Sequence, residues 1–259
     1  MKIVLSGGGT LGPVTPLLAV YETYKQAYPD AEFIWVGTRK GPEREIIEKR
    51  GIKYRAIFTA KWRRYFSIKN IHDLFKFGFI FLHSLFFLIK EKPDILISAG
   101  GFVSVPVHFA GKVLGIPSWV HQQDVRPGLA NRLMSHTATK VTVAINESLQ
   151  YFPMVKSEWI GNPARDLKFD DIEQAKRKLG ITDNEPVIFA LGGGTGSFKV
   201  NKMILEAMNH WPKTWHVVHL VGKERSSDMA EKAVKFFPNY KMYKFFDEEM
   251  KYAYAAADL

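Results

Sequence analysis

The sequence contains no cysteine among its 259 residues. This absence excludes a disulfide framework, thiolate metal sites and a cysteine nucleophile. A signal-peptide pattern is missing too, because Met1 and Lys2 lead directly into the apolar segment Ile3-Val4-Leu5, and we therefore expect a cytoplasmic location. With 46% hydrophobic and 24% charged residues, the composition is typical of a globular chain with one large or two ordinary domains.

A transmembrane helix needs an unbroken apolar run of about 20 residues, and the sequence offers none. Residues 74–89 come closest, but Lys76, His83 and Ser84 interrupt them. One interpretation is a helix buried in the core. Because aromatic residues occur all round this predicted helix, beside Arg63 and Arg64, the alternative is a monotopic contact with an anionic membrane surface through residues 61–90.

A net charge is absent from the second part of the chain, and the whole positive excess lies in the first. Residues 1–165 contain 22 Lys and Arg against 12 Asp and Glu, whereas residues 166–259 contain 14 of each. The simpler interpretation is general solubility. The excess also predicts an anionic partner for the first part, such as nucleic acid, a phospholipid surface or a polyphosphorylated substrate.

Two glycine-rich loops each follow an apolar strand and precede a helical pattern. The first is Gly7-Gly8-Gly9-Thr10-Leu11-Gly12, and the second covers residues 192–197. Glycine allows backbone amides to approach a ligand, and the N-terminus of a helix favours an anion such as phosphate. The pair of loops predicts two Rossmann-like units, and the alternation of strands and helices predicts an α/β fold with parallel sheets.

Polar side chains and glycines also follow the middle strands of the first unit. Gly100 and Gly101 come after one predicted strand, and His121-Gln122-Gln123-Asp124 ends the next. Open α/β sheets bind ligands at this carboxyl edge. A single histidine there can be structural, but a histidine, two amides and a carboxylate together predict hydrogen bonding to a polyhydroxylated ligand.

The second predicted strand, residues 32–37, has no acidic residue after it to hold a ribose diol. This absence disfavours an NAD-dependent oxidoreductase. Arg39 and Lys40 leave open an NADP-dependent one, because they could receive the 2′-phosphate.

A domain boundary is predicted at Gly161-Asn162-Pro163, which breaks both helix and strand patterns. The first domain then covers residues 1–161 and the second covers residues 162–259. The last two residues, Asp258-Leu259, follow a helical run and are typical of the start of another strand. We therefore expect the second domain to be incomplete.

Several segments, taken in order, resemble the MurG family. They are Gly8-Gly9-Thr10 with Pro16-Leu17-Leu18-Ala19-Val20, residues 100–106, Gly115-Ile116-Pro117, His121-Gln122-Gln123-Asp124, Gly128-Leu129-Ala130-Asn131-Arg132, residues 138–141, residues 161–165 and residues 192–196. The resemblance covers the whole chain. It implies the GT-B architecture, which has two Rossmann-like domains. The first domain would bind the acceptor and the membrane, and the second would bind most of the nucleotide sugar.

The implied activity is inverting transfer of N-acetylglucosamine from UDP-N-acetylglucosamine to an undecaprenyl-pyrophosphoryl-MurNAc-pentapeptide acceptor in peptidoglycan synthesis. The resemblance also implies that the protein binds peripherally to the cytoplasmic face of the cell membrane. No nucleic-acid partner is expected. No cofactor or metal is expected, since backbone amides at a helix N-terminus can stabilise the leaving diphosphate. The substrate-binding residues implied are Thr10, Leu11, Gly12, Gly100, Gly101, Asp124, Asn131, Arg165, Gly193, Gly194, Thr195 and Phe246.

The chain departs from the family pattern at positions that matter for catalysis. Leu11 and Pro13 replace a glycine and a histidine of the first loop, and the usual His-Glu-Gln-Asn is His121-Gln122-Gln123-Asp124. A base must accept the proton of the acceptor hydroxyl, and Asp124 and His121 are the catalytic candidates. Two alternatives stay open: a related UDP-sugar transferase with another lipid acceptor, and a non-catalytic module that binds lipid pyrophosphate or membrane.

Overall fold

The computed structural model describes residues 1–57, 69–222 and 228–259. The chain divides into two compact units, Met1–Arg165 (unit 1) and Asp166–Leu259 (unit 2). The boundary predicted after Gly161 lies shortly before this division. Each unit contains a parallel sheet and helices, as the alternating sequence pattern predicts.

Unit 1 is built on a seven-stranded parallel sheet with the order β3-β2-β1-β4-β5-β6-β7. Its strands are β1 (Lys2–Ser6), β2 (Glu32–Gly37), β3 (Lys53–Ala56), β4 (Ile95–Ser98), β5 (Ser118–Gln122), β6 (Lys140–Val143) and β7 (Ser157–Trp159). The register pairs Val4 with both Ile34 and Leu96, at the centre of the apolar core. The inner strands are short and largely apolar, as expected for a sheet covered on both faces, whereas the edge strands β3 and β7 are polar and more exposed.

The helices of unit 1 are α1 (Val14–Ala27), α2 (Glu43–Lys49), α3 (Lys69–Glu91), α4 (Ser104–Val113) and α5 (Leu129–Thr137). Pro13 precedes α1 with a φ of −67°, which suits a helix start. Gly51 and Gly115 follow α2 and α4 in the left-handed region, with φ of 69° and 71°, and end these helices. Two 3-10 helices, Asn146–Tyr151 and Met154–Lys156, follow β6.

Unit 2 contains a three-stranded parallel sheet with the order β10-β9-β8. Its elements are α6 (Ile172–Lys178), β8 (Val187–Leu191), α7 (Phe198–Ala207), β9 (His216–Leu220), α8 (Asp228–Phe236), β10 (Tyr240–Tyr243) and α9 (Met250–Ala256). Side chains cap two helices, because Asp171 accepts the amide of Gln174 at 2.8 Å and Ser197 accepts that of Val200 at 3.4 Å.

The edge of β8 that β9 leaves free is occupied by the residues after α9. Asp258 donates its amide to the Val187 carbonyl at 2.9 Å, and the Phe189 amide donates to the Leu259 carbonyl at 2.8 Å. These are the hydrogen bonds that a further parallel strand would make with β8. They agree with the prediction that Asp258 and Leu259 start a strand.

Candidate active site

The first candidate site lies at the carboxyl edge of the unit 1 sheet, around β1, β4 and β5. The chain places β2 on one side of β1 and β4 on the other, which makes the end of β1 a topological switch point. Open α/β sheets bind ligands at such points. The order of the strands thus brings together the loop after β1, the loop after β4 and the loop after β5.

These three loops touch one another. A Cβ atom on Gly101, after β4, would stand 3.0 Å from the carbonyl oxygen of Gly8, after β1. The Gln123 side chain, after β5, donates a hydrogen bond from Nε2 to the carbonyl of Gly12 at 3.2 Å. Thr10, Gly12, Gly100, Gly101 and Asp124, which the sequence analysis singled out, therefore share one edge.

The first glycine loop leaves a run of amides for a ligand. Within the described part of the chain, the amides of Thr10, Leu11 and Gly12 donate no hydrogen bond to the protein. Thr10 and Gly12 are exposed, whereas the Leu11 side chain is buried and only its backbone borders the edge. The helix α1 begins directly behind these amides, so its dipole favours an anionic group there.

Glu43, the first residue of α2, belongs to this edge but was not predicted from the sequence. Its side chain is fully buried, and its Oε2 accepts the Gly9 amide at 3.2 Å. A glutamate at the start of a helix is usually solvated, and nothing in its own neighbourhood predicted burial. The Glu43 carboxylate lies against Gly8 and Gly41, where a Cβ on either glycine would collide with it, a contact that only the structure shows.

Two buried amides hold the loop after β5. Asn131 donates from Nδ2 to Gln122 Oε1 at 2.7 Å and to the His121 carbonyl at 3.0 Å. Gln122 in turn donates to the carbonyl of Asp124 at 2.8 Å, and the Ser148 hydroxyl donates to the same oxygen at 3.1 Å. The backbone of Asp124 is thereby fixed while its carboxylate remains exposed.

Asn131 presents an unused acceptor at this edge. Its Oδ1 is buried and has no hydrogen-bond partner among the described residues. A Cβ on Gly100 would stand 3.3 Å from this oxygen. A buried acceptor without a donor costs free energy, so a ligand hydroxyl or amide that reaches Oδ1 would gain a strong contact.

His121 is held by hydrogen bonds at both ring nitrogens. Nδ1 lies 2.9 Å from the Thr142 hydroxyl and Nε2 lies 3.1 Å from Asn162 Oδ1. An amide oxygen only accepts, so Nε2 carries the proton and Nδ1 accepts from Thr142, whose oxygen accepts from Trp119 Nε1 at 2.6 Å. Burial lowers the pKa of His121, against a smaller opposing effect of the Asn162 hydrogen bond. This arrangement argues against His121 as the base, because its lone pair is already used.

Arg165 lies away from the loop edge. Its Nε donates to both carboxylate oxygens of Glu22 at 3.0 Å, and Arg50 lies 3.5 Å from the same carboxylate. Glu22 follows the first residue of α1 by eight positions, which is about 12 Å along the helix. The structure therefore gives Arg165 an ion pair within unit 1, apart from Thr10 and Gly12, and its implied role in binding substrate stays a prediction.

A second candidate site lies at the carboxyl end of β8 in unit 2. Gly193 adopts a φ of 85°, and Gly194 and Thr195 are partly exposed. The backbones of Gly196 and Gly222 are in direct contact, so a side chain on either would collide with the other. The helix α7 begins behind this loop, and Asn201 ties α7 to the end of β9 by donating to the Val221 carbonyl at 3.0 Å.

The expectation for Phe246 is corrected by the structure. Its ring is 5% exposed and belongs to a core cluster of unit 2, with the Tyr243 ring centroid 4.6 Å away. A ring packed in this way is not available for the contact with substrate that the resemblance implied. The preceding residue, Phe245, is partly exposed.

Comparisons with known proteins agree with this architecture. Residues 3–143 match the glycosyltransferase family 28 N-terminal domain, and residues 187–259 match the C-terminal domain of the same family. Among solved structures, Acinetobacter baumannii MurG superposes with a TM-score of 0.65 at 22% identity, covering 99% of this chain and 70% of that one. Anabaena HepE in complex with UDP and glucose superposes with a TM-score of 0.65 at 15% identity, covering 100% of this chain and 72% of that one. These similarities show the GT-B fold.

Curated relatives share more of the sequence. A Clostridium kluyveri protein named UDP-N-acetylglucosamine–N-acetylmuramyl-(pentapeptide) pyrophosphoryl-undecaprenol N-acetylglucosamine transferase is 39% identical over 259 residues, which is all of this chain and 72% of the relative. A Staphylococcus aureus protein of the same name is 38% identical, covering 99% of this chain and 71% of its own length. The chain therefore belongs to glycosyltransferase family 28 and, within it, to the MurG transferases.

Proposed function

We propose that the protein transfers N-acetylglucosamine from UDP-N-acetylglucosamine to a lipid-linked pyrophosphoryl-MurNAc-pentapeptide in peptidoglycan synthesis, with inversion at the anomeric carbon. The observation that carries this proposal is the identity of 37–39% over the whole chain to relatives named for that reaction. The two loop sites described above supply chemistry that fits it.

Unit 1 is suited to the acceptor. The amides of Thr10, Leu11 and Gly12 stand at the N-terminus of α1, where a pyrophosphate is favoured. The unpartnered Oδ1 of Asn131 can accept from a sugar hydroxyl or an acetamido group. The net positive charge of residues 1–165 attracts an anionic acceptor.

Unit 2 is suited to the donor. As the glycosidic bond breaks, negative charge develops on the leaving UDP. The amides of the loop through Gly193, Gly194 and Thr195, together with the dipole of α7, can stabilise that charge without a metal. No cofactor is needed in this scheme, because the sugar is already activated as its UDP derivative.

The acceptor hydroxyl attacks the anomeric carbon and must lose its proton. We assign this proton to the Asp124 carboxylate, which is exposed on a backbone held by Gln122 and Ser148. His121 serves to position the end of β5 against β6 through Thr142.

The test is transfer by the full-length protein from radiolabelled UDP-N-acetylglucosamine to a soluble lipid-pyrophosphate acceptor analogue. We expect a disaccharide product of inverted configuration, undiminished by EDTA. UDP-N-acetylgalactosamine and UDP-glucose serve as competing donors. Binding of the analogue without transfer would favour a non-catalytic module, and faster transfer from another donor would identify a related UDP-sugar transferase.

We further propose that unit 1 binds peripherally to the cytoplasmic face of the membrane through α3. Exposed apolar side chains recur on α3 at spacings of three and four residues: Phe79, Leu82, Phe86 and Ile89. Ile80, Ser84 and Leu88 face the interior instead. In the described part of the chain, no helix has the length and apolarity that a membrane span requires.

The neighbourhood of this stripe fits an anionic lipid surface better than nucleic acid. The helix α3 packs against α4, where Val113 is 67% exposed beside the exposed Lys112. Apolar side chains flanked by lysines are typical of interfacial membrane contacts. Arg63 and Arg64, which contributed to this prediction, lie outside the described residues.

Liposome flotation tests the membrane contact. We expect the full-length protein to float with vesicles that contain anionic phospholipid at low salt, and Phe79→Ser with Phe86→Ser to reduce the bound fraction about tenfold. Full burial of a phenylalanine contributes about 1.5–3 kcal/mol, so partial burial of two rings at the lipid interface is enough for a tenfold effect. Phe236→Ser, in α8 of unit 2, removes a ring that is 76% exposed and should leave flotation unchanged. Equal flotation of all three proteins would refute the assignment of α3.

A further inference from the structure

The described residues contain two buried carboxylates, Glu43 and Glu91, and both belong to unit 1. Glu91 has lysine and arginine partners, because Lys53 Nζ lies 2.9 Å and Arg55 lies 3.8 Å from its oxygens. Glu43 forms no ion pair within the described part of the chain. Its charge is balanced by hydrogen-bond donors alone, which makes it the unusual member of the pair.

The donors around Glu43 come from three segments of unit 1. Oε1 accepts the Thr38 amide and the Thr38 hydroxyl, each at 2.7 Å. The Tyr54 hydroxyl, on β3, lies 3.2 Å from the same oxygen and 2.6 Å from the Thr38 carbonyl. Oε2 accepts the Gly9 amide at 3.2 Å. The carboxylate thus joins the end of β2, the strand β3 and the first glycine loop.

The contact with the glycine loop is close. A Cβ on Gly8 would overlap the Glu43 carboxylate, and Gly9 adopts a φ of 85°, a conformation that favours glycine. The loop therefore follows the surface of the buried side chain over two residues. The amides of Thr10, Leu11 and Gly12 come immediately afterwards.

We propose that Glu43 is a positioning residue for the acceptor. By holding the Gly9 amide it fixes the conformation in which the next three amides face the acceptor pyrophosphate, although Glu43 itself does not touch substrate. This inference rests on the proposed function. One buried carboxylate would then determine the conformation of the glycine loop at the topological switch point.

Glutamine at this position isolates the loop contact. In Glu43→Gln the amide oxygen can still receive the two Thr38 donors, which bind at the shorter distances. The amide nitrogen then faces the Gly9 N–H, and two donors oppose each other where one hydrogen bond existed. The side-chain volume is unchanged, so the loop loses its anchor with little disturbance to packing.

The experiment compares Glu43→Gln with Glu91→Gln in the full-length protein. Glu91→Gln removes the other buried carboxylate, which makes no contact with the glycine loop among the described residues, and it controls for general destabilisation. We expect Glu43→Gln to raise KM for the acceptor analogue about tenfold with KM for UDP-N-acetylglucosamine within twofold, since small displacements of binding groups are costly. Both kinetic constants of Glu91→Gln should stay within twofold of the unmodified protein, measured well below each melting temperature.

Amide hydrogen exchange of a peptide covering residues 7–12 provides a readout that does not depend on activity. We expect faster exchange in Glu43→Gln and unchanged exchange in Glu91→Gln. If Glu43→Gln keeps both the acceptor KM and the exchange of this peptide within twofold, the proposal is overturned. It is also overturned if exchange rises while the acceptor KM does not. If the unmodified protein transfers no sugar, the proposed function fails, and the exchange comparison alone decides whether Glu43 anchors the loop.

Discussion

Replacing Asp124 by asparagine is expected to lower kcat for sugar transfer by about 100-fold or more, with both Michaelis constants little changed. A positioned general base contributes about 10²–10⁴-fold to a reaction of this kind, and asparagine cannot accept the proton. The substitution should not disturb folding. Gln122 and Ser148 hold Asp124 through its backbone carbonyl, and its side chain is exposed.

Asp30→Asn is the matched control, because it removes the same charge from an exposed aspartate just before β2, at the opposite edge of the sheet. Its kcat should equal that of the unmodified protein. The MurG resemblance adds a second variant, since the family pattern has a histidine where this chain has Pro13. If a base is what Asp124→Asn lacks, adding Pro13→His should restore part of the lost kcat. Unchanged turnover of Asp124→Asn would remove Asp124 from the role.

The sheets of both units could be predicted from the sequence because most of their strands are short, largely apolar runs followed by loops. The run Glu32–Gly37 coincides with β2, and the first unit shows the expected series of parallel strands. The order of the strands in the sheet could not be predicted in this way. That β1 lies between β2 and β4 depends on pairing between segments about 30 and 90 residues apart, which no local pattern encodes. The 3-10 helices after β6 were missed because three to six residues carry no periodicity.

The candidate site was predicted in part, and the contacts that the sequence did not show have a common cause. The positions of the loops that follow neighbouring strands were predicted correctly, because glycine and polar residues at strand ends are local signals. Whether a side chain is buried there is decided by distant residues. The Phe246 ring belongs to the interior, Arg165 pairs with Glu22, and the buried Glu43 accepts the Gly9 amide. Each of these facts depends on a contact between segments far apart in the chain.

Acidification from pH 7 to pH 5 is expected to destabilise unit 1 through His108, on α4. This imidazole is completely buried, its Nε2 lies 3.3 Å from the Ser6 hydroxyl, and its Nδ1 has no partner among the described residues. Burial lowers the pKa of His108 from 6.5 to about 3. The folded state therefore stays neutral where the unfolded chain takes up a proton, and stability falls as the pH drops from 6.5 towards 3. At pH 5 this linkage amounts to about 2 kcal/mol.

Urea denaturation at pH 7 and pH 5, followed by circular dichroism, measures the effect. His108→Gln removes the titrating group, so the variant should start less stable at pH 7 but lose about 2 kcal/mol less than the unmodified protein on acidification. His136→Gln, on the exposed side of α5, should follow the unmodified profile. The carboxylates with lowered pKa, Glu91 and Asp183, lose their contribution mainly below pH 4.5. Burial also lowers the pKa values of His121 and His219, which add the same loss in the unmodified protein and in His108→Gln, so the difference between these two proteins isolates His108. Parallel losses in the unmodified protein and His108→Gln would show that His108 does not carry the acid sensitivity.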